Sequence, residues 1–137
     1  VASTTYTDTT LTATITPYFN TSKIMVVVSQ NYETLRAVSA AEAGVRLLRG
    51  ASAIWTMAED TGPLPWGLQV RSSGATFVGV GGIVNINYLD SPATTSATTY
   101  KMQGAVYYTA SSPTINFQVE GSIANGTSTI ILMEVAG

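Results

Sequence analysis

T-Y-K-M-Q-G-A-V-Y-Y, Thr99 to Tyr108, puts Tyr100, Met102 and Val106 on one side of an extended chain and Lys101 and Gln103 on the other. Successive side chains of a strand point to opposite faces, so this alternation is that of a strand packed on one face and wet on the other. Tyr107 and Tyr108 fall on opposite faces, and at most one of them joins a core. The same period governs T-I-N-F-Q-V-E-G from Thr114, where Ile115, Phe117 and Val119 oppose Asn116, Gln118 and Glu120. It returns in I-V-N-I-N-Y-L, where Val84, Ile86 and Tyr88 oppose Asn85 and Asn87.

Three further runs do not alternate: K-I-M-V-V-V-S from Lys23, G-V-R-L-L-R-G from Gly44 and T-I-I-L-M-E-V from Thr129. A strand apolar on both faces is covered on both faces, by a second layer of its own chain or by a neighbouring subunit. The neighbour is the favoured reading, and it makes Met25, Val27, Leu48, Ile131 and Met133 the candidate subunit contacts.

The punctuation is that of sheets. Asn125-Gly126 is a type I′ hairpin signal, since both central residues of that turn need positive φ. Pro17 and Pro113 stop neighbouring strands, and G-P-L-P-W at 62–66 fits neither a helix nor a central strand. Gly79, Gly81 and Gly82 suggest a bulge or sharp bend in one long strand. L-R-A-V-S-A-A-E-A-G at 35–44 invites one or two helical turns inside a loop. Between two strands, Asp90-Ser91-Pro92 opens a hydroxyl-rich loop. Its carboxylate either closes an Asx-type turn or contacts a ligand. About eight strands with turns every ten or so residues make an all-β fold, an antiparallel β-sandwich of jelly-roll-like kind. One domain of residues 1–137 is expected, with 1–10 as an extended entry segment. That opening suggests a piece cut or processed out of something longer.

Composition excludes more chemistry than any motif supplies. The chain has no Cys and no His, which removes disulfides, thiolate nucleophiles, the usual zinc sites and every Ser-His or Cys-His pair. No cofactor or metal is expected. Charged residues are 10% of the chain and the net charge is -2, so no basic patch awaits a phosphate backbone and nucleic acid is not an expected partner. Low net charge favours association. The longest apolar run, Ile24 to Val28, is far short of the ~20 residues that a membrane helix needs, so membrane insertion is not expected.

Glycoside hydrolysis would require two carboxyl groups across a cleft. Glu59 and Asp60 are adjacent and point opposite ways on an extended chain, and the other acids have no mutual spacing that demands a site. Trp55 and Trp66 flank a Pro/Gly loop, and an exposed Trp beside Glu59 and Asp60 suits a sugar's C–H face. Trp55, continuing the apolar run through Ile54, reads rather as core or interface, and Trp66 reads equally as exposed or buried. Arg46 and Arg49 either face solvent or, at a subunit boundary, pair with Glu120 or Glu134.

Four ordered pieces carry a resemblance: L-T-A-T-I-T-P at 11–17 with T-S-K-I-M-V-V-V at 21–28, G-V-R-L-L-R-G at 44–50, Y-L-D-S-P-A-T-T-S-A-T-T-Y-K at 88–101, and S-T-I-I-L-M-E-V at 128–135. Together they resemble carboxy-terminal domains of tail-fibre and other virion appendage proteins of tailed bacteriophages, of marine phage type. The resemblance implies a non-enzymatic, trimeric β domain on the virion, contacting other virion proteins and suited to host attachment, with a host-surface glycan as a candidate ligand. A structural trimerisation cap or capsid decoration without host recognition is the alternative, and a monomeric carbohydrate-binding module of a secreted bacterial enzyme is a third. The segments 29–43 and 53–73 lie outside the resemblance, which places any binding specificity in loops 30–43 and 57–67.

Overall fold

A computed structural model of the chain describes residues 5–36, 40–57, 68–71, 78–106, 114–117 and 126–137. These residues hold nine strands and no helix: β1 (Thr7–Ile15), β2 (Lys23–Arg36), β3 (Ala40–Arg49), β4 (Ser52–Thr56), β5 (Leu68–Arg71), β6 (Val78–Asp90), β7 (Thr98–Val106), β8 (Thr114–Phe117) and β9 (Thr129–Val135). All pairings are antiparallel. The first sheet runs β1-β7-β3-β4, with β5 also on β3; the second runs β6-β2-β8, with β9 also on β2. The chain is an antiparallel β-sandwich, as its alternation requires.

The alternating runs place their apolar faces together. Ile24, Val26 and Val28 of β2 and Val84 and Ile86 of β6 meet Leu11, Val45, Leu47, Tyr100 and Met102 of the first sheet. Burying each such side chain is worth about 1.5–3 kcal/mol. One polar side chain crosses this core. Gln30 is fully buried, with Thr9 Oγ1 3.1 Å from its Oε1 and its Nε2 donating to Ser128 Oγ at 2.9 Å. It ties β1 to β2 and to the start of β9, which satisfies polar atoms that would otherwise be stranded.

At the other end of the core, Tyr32 and Phe117 pack on Ala43 and Val106. Two glycines make room for their rings. A Cβ at Gly82 would stand 2.6 Å from the Tyr32 hydroxyl, and one at Gly104 would overlap the Phe117 ring.

Several expectations are corrected. The described residues of 35–44 form no helix: Leu35 and Arg36 end β2, and Ala40 to Gly44 begin β3, paired with β5 and β7. Sheet pairing here outweighs the helix propensity of Ala and Glu. The same strands take most of the segment 30–43, expected to be a binding loop. Gly79, Gly81 and Gly82 cause no bulge, because β2 and β6 pair without a break in register from Ile24↔Asp90 to Arg36↔Val78. The irregularities lie instead in the first sheet, between Asp8 and Thr12, where Thr10 has φ 69°, and between Leu47 and Leu48 where β3 pairs β4. Asn125 lies outside the described residues. Among the described residues, the strands on either side of it, β8 and β9, do not pair with each other but lie along the same edge of β2.

Candidate functional site

The two outer faces of the sandwich differ in chemistry. On the first sheet, Asp8 of β1 accepts from Lys101 Nζ at 2.9 Å and Gln103 Nε2 at 2.6 Å, and Gln103 Oε1 accepts from Arg46 Nε at 2.8 Å. The Arg46 guanidinium lies 4.2 Å from the centroid of the Tyr6 ring. Lys101 and then Gln103 hold the Asp8 carboxyl below its ordinary value. This face is a connected polar surface of a kind at home in water.

The second sheet's outer face carries an apolar patch along β9 and the adjoining part of β2, with the exposed Asn85 and Asn87 of β6 lying between Ile83 and Leu89. Met25 and Val27 sit half-buried on the central strand, with Met133 and Leu89 beside Met25 and Ile131 beside Val27. Leu89, Ile131, Met133 and Val135 are 43–51% exposed, and Ile83 further along β6 is 56% exposed. Ile83 stands apart beyond Asn85 and Asn87, but Leu89, Met25, Met133, Val27, Ile131 and Val135 are contiguous, and an exposed aliphatic cluster of this kind marks an interaction surface. Four of the five sequence-named contacts, Met25, Val27, Ile131 and Met133, are therefore brought to one face. Leu48 is not among them: it is 3% exposed in the single chain. Around it β3 is closed on both sides, with Ala43, Gly44, Val45, Leu47 and Leu48 all buried. The three non-alternating runs thus have two different causes, self-coverage for β3 and an open face for β2 and β9.

The end of the sandwich where β6 and β9 finish carries two further groupings. Arg49 Nη1 donates to both oxygens of Asp90, at 3.0 and 2.9 Å, and Tyr100 Oη donates to Asp90 Oδ2 at 2.7 Å. Asp90 is 6% exposed, so its carboxylate is spent on internal partners and is not offered to a ligand. Burial, and then the Asp90 carboxylate, push the Tyr100 phenol well above its ordinary value. Arg49 therefore pairs with Asp90 and not with Glu134, whose carboxylate is engaged elsewhere, while Glu120 lies outside the described residues.

Glu134 instead organises the loop between β1 and β2. Its Oε1 accepts the Tyr18 N–H at 2.7 Å and the Phe19 N–H at 3.3 Å, and Ser22 N–H donates to Phe19 O at 3.1 Å. The Ser22 hydroxyl is buried and acts on Glu134 without a bond of ordinary hydrogen-bond geometry. It does most to hold the Glu134 carboxyl below 4.5; desolvation opposes it, and the two N–H groups add to the lowering. The loop so fixed presents Tyr18 and Phe19, 78% and 54% exposed, as an edge-to-face pair with centroids 4.8 Å apart and planes at 76°. No sequence reading singled out these rings. The available signal was two adjacent aromatics directly after Pro17, in a segment too polar on its far side to continue a strand.

Of the sugar-platform candidates, Trp66, Glu59 and Asp60 lie outside the described residues, as does most of loop 57–67. Trp55 is half-buried and packs against the inter-sheet core beside Leu47. It flanks the core from β4 with only part of its surface open. Among the described residues no cluster of three acids could hold a metal ion, and no helix is long and apolar enough to cross a membrane. Compared with models of protein families, with curated proteins and with solved structures, the chain matches none.

Proposed function

We propose that this chain is a non-enzymatic appendage domain of a tailed-bacteriophage virion, at a tail-fibre tip or head fibre, which assembles as a homotrimer and attaches the particle to its host. The observation that carries the reading is the contrast between the two outer faces. One is a polar network around Asp8, Gln103 and Arg46; the other exposes Leu89, Ile131, Met133 and Val135 around Met25 and Val27. A chain with few charges and such a face gains by burying it, and sister copies bring a matching surface without a second gene product. The virion role rests on the ordered resemblance of the segments at 11–28, 44–50, 88–101 and 128–135. Three identical weak sites on one stalk would give attachment by avidity, which requires no catalytic group.

Sedimentation of the purified domain, followed by adsorption to bacterial cells in competition with virions, tests this. A trimer that adsorbs and competes is the expected result. A trimer that does neither transfers the domain to the alternative, a trimerisation cap or capsid decoration. A monomer that retains polysaccharide ends both readings in favour of a secreted carbohydrate-binding module.

A further inference from the structure

We propose that Tyr18 and Phe19, with Asn20 and Thr21 beside them, form a stacking site for a sugar residue of the host-surface ligand; the proposal rests on the attachment reading and moves its contact point from loop 57–67 to the loop 16–22. Three observations carry it. The rings are the two adjacent large aromatics left open among the described residues, at 78% and 54% exposure, while other aromatics such as Tyr100, Tyr32, Trp55 and Phe117 are in or against the core. Their backbone is held before any ligand arrives, by two N–H bonds to Glu134 Oε1 and the Ser22 N–H to Phe19 O turn. Little ordering entropy is therefore lost on binding. Finally, the planes meet at 76°, a corner and not a flat patch, and the next two residues of the loop, Asn20 and Thr21, are exposed and bring an amide and a hydroxyl. A sugar matches that combination, since its C–H face stacks on a ring while its hydroxyls take polar partners.

Size separates this occupant from a second copy of the chain. Two aromatic side chains bury about 150–250 Å² each when wholly covered, against the roughly 1,600 Å² of a stable protein–protein interface. The pair suffices for one or two sugar units. The subunit contact has its own surface, the outer face of β9, β2 and β6.

The test compares the wild-type domain with the Tyr18→Ala/Phe19→Ala double variant on an array of bacterial surface polysaccharides and their mono- and disaccharide fragments. Circular dichroism and sedimentation confirm fold and assembly, and cell adsorption is measured in parallel. The expected result is wild-type retention on a subset of glycans that falls at least tenfold in the double variant with the oligomer intact, while Tyr18→Phe keeps most of it. Equal retention by wild type and double variant overturns the site and leaves the attachment role standing. Adsorption to cells without retention on any glycan overturns the ligand class. Dissociation of the double variant into monomers assigns the rings to the subunit contact and overturns the proposal. A wild type that binds neither cells nor glycans removes the attachment reading and the site together.

Discussion

Asp90 is a carboxylate taken out of water and answered from two sides, by Arg49 at 2.9 Å and by the Tyr100 phenol at 2.7 Å. Truncating one member leaves the others stranded. Arg49 keeps about a third of its side chain in solvent, which moderates the charge effect. Asp90→Asn is expected to cost about 1–3 kcal/mol in urea unfolding, and Tyr100→Phe about 1 kcal/mol; a double variant should lose less than the sum of the two single losses, because both break one network. Glu134 poses a different test, in pH. Its folded-state pKa is depressed below 4.5, so its contribution to stability is present above pH 4.5 and is lost as pH falls through the folded value. The wild-type unfolding midpoint should therefore decline in that acid window. Glu134→Gln should decline less, the depressed Asp8 carboxyl supplying the remainder. Amide exchange at Tyr18 and Phe19 should be faster in Glu134→Gln at neutral pH; unchanged exchange would show that the carboxylate does not hold the loop.

At the scale of the strand, β7 depends on one missing side chain. Gly104 is buried where the Phe117 ring crosses β7, and a methyl group there would overlap that ring. Phe117 can swing away only by leaving Ala43 and Val106. Gly104→Ala is thus expected to cost about 1–3 kcal/mol as an overpacking change, and Gly104→Ala/Phe117→Leu should recover part of it; thermal unfolding of the three proteins checks this. The strands themselves were largely legible. Wherever one face is core and the other wet, as in Val84 to Tyr88 and Tyr100 to Gln103, period-two alternation follows from geometry alone. What the pattern does not encode is which strand lies alongside. The core pairing Arg49–Asp90 joins residues 41 positions apart, and no local spacing announces it. The misread helix at 35–44 has the same origin: local propensity is visible in the chain, while the partners β5 and β7 that outweigh it are brought in by the fold.

For the molecule as a whole, the open question in the sequence was what covers an apolar strand twice. The chain answers differently for each run, closing over Leu48 and leaving Ile131 and Met133 in the open. Leu48 lies on an inner strand between β7 and β4, whereas Ile131 and Met133 lie on β9, a marginal strand of the second sheet. The edges point the same way. Both outer strands of the first sheet are irregular, β1 at the bulge by Thr10 and β4 where its register with β3 shifts at Leu47 and Leu48, and irregular edges discourage strand addition. By contrast β6 runs thirteen residues in unbroken register, and among the described residues it pairs with β2 alone. Association should therefore be carried by the second sheet and should not involve the first. A charge placed at the centre of the apolar face would have to be buried in the assembly, at a cost of several kcal/mol, yet stays in water in the monomer. Met133→Glu, and more strongly Ile131→Asp/Met133→Glu, are expected to shift the sedimenting species to monomer without altering the β-sheet circular dichroism. Thr14→Glu, exposed on β1 of the first sheet, should leave the mass unchanged. If Thr14→Glu dissociates the particle while Met133→Glu does not, the assembly face has been assigned to the wrong sheet.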